Sequence, residues 1–65
     1  MKTKQIAEIL GKSRQFLENV VNGRGNFGYQ AAKKATLLIG GTLDVWMDKS
    51  YTEERKKLFR TLRGR

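Results

Sequence analysis

Apolar positions along this 65-residue chain recur at intervals of three and four and never in sustained alternation, a spacing that predicts helices and not strands. Ile6, Ala7, Ile9 and Leu10 form a first stripe that stops at Gly11, with Thr3 placed to act as its N-cap. Ser13 is a second N-cap candidate. Behind it Phe16, Leu17, Val20 and Val21 fill one face of a helix that ends at Asn22-Gly23. A third helix runs from Tyr29 to Ile39 on Ala31, Ala32, Ala35, Leu38 and Ile39, and Gly40-Gly41 closes it. Thr42 precedes a short fourth helix, Leu43 to about Asp48, whose Asp44 sits in the first turn where the helix dipole favours a carboxylate. Ser50-Tyr51-Thr52-Glu53 fits a capping box, and Tyr51, Arg55, Leu58, Phe59 and Leu62 then space out as a fifth helix; residues 63–65 are expected to fray.

The expected fold is therefore all-α: one domain over residues 1–65, a compact bundle of about five short helices near 3–10, 13–22, 28–39, 42–48 and 52–62. No proline, repeat or Pro/Ser-rich linker divides it. Phe27 is expected in the core between the second and third helices, leaving Asn26 or the free backbone to cap the third. Leu43, Trp46 and Met47 are core or interface candidates, Trp46 and Phe59 reading first as core.

Charge adds a partner class. Fourteen Lys and Arg against six Asp and Glu give +8, which favours a polyanion, nucleic acid first. The helix from about residue 52 is strongly basic, carrying Arg55, Lys56, Lys57, Arg60 and Arg63; Lys33 and Lys34 read as ordinary solubilising charges. Without cysteine or histidine the chain lacks disulfides, thiolate nucleophiles, the usual zinc ligands and the best neutral-pH proton shuttle. It reads as a non-enzyme with no metal, cofactor or small-molecule ligand. No apolar run nears the roughly 20 residues of a membrane span, and the N-terminal stretch is too amphipathic for a signal peptide, so a cytoplasmic location is expected.

Gly23-Arg24-Gly25-Asn26-Phe27-Gly28 has the spacing G-x-G-x-x-G of a dinucleotide-binding loop, with Asp44 or Asp48 near the distance of a ribose-binding carboxylate. The reading fails because the preceding segment has helical periodicity and no parallel strands exist to build a sheet. Gly11 and Gly23 are instead where helix ends need a left-handed backbone.

Thr3 to Gly23 holds two short helices around a tight turn: small Ala7 where helices can cross closely, Gly11 in the turn, Leu17 and Val20 packing the second helix on the first. At these residues the chain resembles the helix-turn-helix domains of the phage Cro and repressor (lambda-repressor-like) family. The resemblance continues through Asn22-Gly23-Arg24, the loop to Gly28, Thr36-Leu37-Leu38-Ile39-Gly40-Gly41 and Thr42-Leu43-Asp44, covering roughly residues 3–48. It implies sequence-specific double-stranded DNA binding by a small transcriptional regulator. The second helix would enter the major groove by its N-terminal end, so Ser13, Arg14, Gln15, Glu18 and Asn19 would face base edges. Their chemistry suits that role: Arg can bridge guanine O6 and N7, Gln and Asn can bridge adenine N6 and N7, and Glu can accept from cytosine N4. Thr3, Lys4, Lys12, Asn22, Arg24 and Asn26 flank the helix as phosphate-binding candidates.

Two departures accompany the resemblance. Family members usually carry a helix before the motif, so the helix at 52–62 is expected to pack in that place, burying Leu58, Phe59 and Leu62. Phe27-Gly28 stands where the family often has a proline and a Ser or Thr cap. One motif reads only a few base pairs, so a homodimer on a pseudo-palindrome with half-sites about 34 Å apart is expected, with Trp46, Met47 and Tyr51 as its candidate surface. Two rival readings are a basic RNA-binding mini-domain, disfavoured by a shortage of aromatics off the apolar faces, and an antitoxin-like adaptor that binds a protein as well as DNA.

Overall fold

The computed structural model describes residues 1–64, and the terminal Arg65 of the expected frayed end lies outside them. Among the described residues the fold is all-α, with five helices: α1 Thr3–Leu10, α2 Arg14–Val21, α3 Tyr29–Leu38, α4 Leu43–Met47 and α5 Thr52–Arg63. A 3-10 turn, Lys49–Tyr51, precedes α5. Among the described residues no helix is long and apolar enough to cross a membrane.

The first two helices end in the same way. At Gly11 (φ 72°) the N–H bonds Glu8 O at 3.1 Å and the next N–H, of Lys12, bonds Ala7 O at 3.0 Å. At Gly23 (φ 79°) the N–H bonds Val20 O at 3.1 Å, and that of Arg24 bonds Asn19 O at 2.8 Å. Each pair satisfies carbonyls that the helix end leaves without internal partners. The first turn points α2 across α1; the second folds Arg24 back onto α2.

Ile6, Ala7 and Leu10 from α1, Leu17, Val20 and Val21 from α2, and the alanines of α3 meet in one core around Trp46, which is wholly buried. The Trp46 indole N–H donates to Gly40 O at 2.9 Å, and its ring lies 5.8 Å from that of Phe27, centroid to centroid. Phe27 is held there by its own N–H, which donates to Trp46 O at 3.1 Å. Phe27 is thus in the core as expected, with its ring contacts to Phe16 of α2 and Trp46 of α4. Helix α5 packs onto the body, against α2 and α4, burying Phe59 and Leu62 as expected, whereas Leu58, expected to be buried with them, is only partly buried.

Several local expectations are corrected. Lys2, not Thr3, is the N-cap of α1, its N–H donating to Gln5 Oε1 at 3.0 Å. Ile9 is half exposed, because Ile6, Ala7 and Leu10 define an arc that Ile9, 60° beyond its edge at 100° per residue, does not enter. Phe16 likewise falls outside the arc of Leu17, Val20 and Val21 and remains 38% exposed. The residues Ser50 to Glu53 do not form a capping box: Asp48 caps the 3-10 turn through Ser50 N (3.0 Å), and Thr52 Oγ1 donates to Lys49 O at 2.6 Å. Hydrogen bonding from the backbone and side chain of Ser50, helped by the charge of Arg55, holds the Asp48 carboxyl below its ordinary range. Arg63 does not fray but closes α5. Trp46 cannot serve as a dimer surface, since it has no accessible area; Met47 and Tyr51 alone of that trio reach solvent.

Two glycines of the Gly23 to Gly28 stretch make opposite predictions. A Cβ on Gly23 would stand 2.5 Å from Thr52 Oγ1, on a backbone already at positive φ. Gly23→Ala should therefore lower stability by about 1–3 kcal/mol. Gly28 caps α3 without a side chain, has an extended backbone (φ −70°, ψ 173°) and open space where a Cβ would go. Gly28→Ser should raise stability by about 0.5–1 kcal/mol, through a cap and a stiffer unfolded chain. Urea midpoints of the two variants moving in the same direction would contradict this geometry.

Candidate nucleic-acid interface

Helix α2 buries one arc and presents the opposite one. On a helical projection Gln15 and Asn19 lie diametrically opposite the buried Leu17, Val20 and Val21. Arg14, Glu18 and Asn22 form one shoulder of this ridge and Phe16 the other. Ser13 starts the helix as expected, its Oγ accepting from Phe16 N at 3.1 Å, and so is fixed at the leading end.

The ridge is internally wired. Asn19 Oδ1 accepts from Gln15 Nε2 at 3.2 Å and from Arg24 Nε at 3.1 Å. Arg24 is thus held to α2 twice, by backbone and by guanidinium, so the loop cation and the outward helix face form one unit. Arg14 Nε meets Glu18 Oε1 at 3.3 Å, an exposed i,i+4 pair of the kind that contributes less than about 1 kcal/mol and opens readily to a stronger partner. Asn22 Nδ2 donates to Glu18 O at 2.9 Å, capping the helix end. The five base-reading candidates therefore share one surface with Arg24.

The remaining flanking candidates divide. Lys12 lies beside the Phe16 shoulder, its Nζ 5.4 Å from the ring centroid, while Phe16 stacks on Phe27 at 5.9 Å. Thr3 and Lys4 lie on the other side, in a shallow hollow at the start of α1 that they share with Lys2, Arg14 and Arg63. Asn26 does not cap α3: its Oδ1 accepts from Arg55 Nη2 at 2.7 Å, which leaves the amide Nδ2 of this exposed residue as the donor a phosphate would meet.

Arg55 is what the sequence reading missed. It is wholly buried, and besides Asn26 its guanidinium donates to Val20 O (2.8 Å), Gly25 O (3.0 Å) and Val45 O. Val20 and Val45 lie in the last turns of α2 and α4, where carbonyls carry the negative end of the helix dipole. The planar fork of an arginine suits donors that must diverge in fixed directions, which an ammonium cannot match. Burial pushes its pKa down and Asp48 acts against that, but an arginine begins so high that it stays charged. Arg55 positions the loop that carries Arg24. Its signal was present in the chain, since residue 55 falls on the apolar stripe of α5.

Comparison with protein-family models, with curated proteins and with solved structures finds no match to this chain.

Proposed function

We propose that this chain is a binding protein and not an enzyme: a small, repressor-like regulator of the Cro and repressor type that binds double-stranded DNA with α2 in the major groove. The observation that carries the reading is the wired outward face of α2, set opposite its buried arc and flanked by cations. Within that network Gln15 Oε1 and Asn19 Nδ2 have no hydrogen-bond partner among the described residues, leaving one acceptor and one donor side by side. Adenine presents the complementary pair in the major groove, an N6 donor and an N7 acceptor. Arg14, once released from Glu18, suits guanine.

Duplex binding by Gln15→Ala and Arg24→Ala, read against a random duplex library at two salt concentrations, tests this. Gln15→Ala should change base preference at one position by about 1–3 kcal/mol with the salt slope unchanged. Arg24→Ala should weaken binding to all sequences and lower the slope by about 1. Equal, sequence-independent losses from both would sink the reading.

The body measures 25 × 20 × 20 Å, less than one turn of about 34 Å, so one copy spans less than a turn of duplex. That size supports a homodimer on a pseudo-palindrome, with Met47 and Tyr51 as its remaining surface; sedimentation on DNA measures it. One observation favours RNA as a second reading. Phe16, Tyr29 and Tyr51 are each more than a third exposed, so the chain has the stacking surface its sequence was read as lacking. Preference for a structured RNA over every duplex in the library would select that reading.

A further inference from the structure

The basic helix α5 does more than close the core. Its residues 56, 60 and 63 follow one another at helical spacing and line an open groove of about 680 Å³, whose other wall is Glu18, Val21 and Asn22 of α2. Arg63 also belongs to the hollow at the start of α1, where Lys2, Lys4 and Arg14 join it and no carboxylate lines the wall. Groove and hollow therefore share Arg63 and form one cationic track along the Arg14 and Glu18 shoulder of α2.

Little on the track is neutralised. Glu18 is paired with Arg14, and Lys56 has only a loose contact with Glu53 at 3.8 Å. Arg60 makes no ion pair among the described residues, and Arg63 lies over the Phe59 ring, 5.8 Å from its centroid, with its charge still open to solvent. Such a row attracts a chain of regularly spaced anions, and the phosphodiester backbone is that ligand. Helix α2 in a major groove has a phosphate strand on each side. Arg24 and Lys12 are the candidates for one.

We infer that Lys56, Arg60 and Arg63 of α5, continued by Lys2 and Lys4, bind the second strand, so that the C-terminal helix is a phosphate-binding element of the interface. This rests on the duplex-DNA reading of α2. Its contacts carry no base information, so they raise affinity without changing sequence preference.

The test compares two variants of equal net charge. Lys56→Gln/Arg60→Gln/Arg63→Gln removes three charges from the track; Lys33→Gln/Lys34→Gln/Lys57→Gln removes three that do not line it. Thermal unfolding of both verifies the fold, and affinity for the library-selected duplex is measured from low to moderate salt. The track variant should lose roughly 2–3 units of the log–log salt slope, at about 0.9 per contact, with its selected sequences unchanged. The control should lose less than one unit. Equal slopes for the two variants overturn the α5 assignment while leaving α2 as reader. Absence of duplex binding by the unaltered chain overturns both, and the two failures are distinct in the data.

Discussion

Arg55→Ala is expected to cost about 3–5 kcal/mol, the sum of a large side chain removed from a closed site and several buried acceptors left without donors. Against the roughly 5 kcal/mol at the low end of domain stabilities, this leaves only about 0–2 kcal/mol, so that up to about half of the chains are unfolded. Urea unfolding followed by circular dichroism measures it. Arg55→Lys should recover less than half of the loss, because one ammonium cannot reach Val20, Gly25, Val45 and Asn26 together. A loss below 1 kcal/mol for Arg55→Ala would mean that water replaces the guanidinium at all four acceptors. In conditions where Arg55→Lys remains folded, duplex affinity should still fall, since the loop bearing Arg24 has lost its anchor.

Ending the chain at Lys49 should abolish cooperative unfolding altogether. That truncation removes Arg55 together with the buried Phe59 and Leu62, each of which contributes about 1.5–3 kcal/mol. It also uncovers Val20 and Val21 on the α2 side and Val45 on the α4 side. Dye binding and the loss of a sharp thermal transition report the outcome. A truncated chain melting as sharply as the whole would show that α1 to α4 form a domain without α5.

The helices were legible because each carries an apolar stripe of helical period and most end at a glycine or begin at a polar cap. Ile9 and Phe16 were misplaced for a physical reason: periodicity gives the direction of a stripe but not its width, and short helices here bury an arc only about 100° wide. The outward face of α2 was legible by subtraction once its inward face was known. Arg55 was not, although it stood in the stripe of Tyr51, Leu58, Phe59 and Leu62. A charged residue among apolar ones reads as a solvated interruption unless its acceptors are known, and those acceptors are main-chain carbonyls that no side-chain pattern encodes. The cationic track was hidden similarly, because Lys2 and Lys4 at the start of α1, Arg14 of α2 and Arg63 of α5 meet only in the fold.

The contacts of Arg55 span 35 residues to Val20 and 30 to Gly25. Synthesis proceeds from the N-terminus, so α1, α2 and the loop leave the ribosome well before the residue that fastens them. Until then the Gly25 carbonyl lacks its donor, the Val20 carbonyl has only the Gly23 N–H, and the loop that carries Arg24 is tied to α2 by its own local bonds to Asn19 alone. The order of synthesis thus makes the outward face of α2 and its loop the last part of the fold to be fastened: a partly made chain carries the whole of α2 yet lacks the residue that anchors the loop behind it.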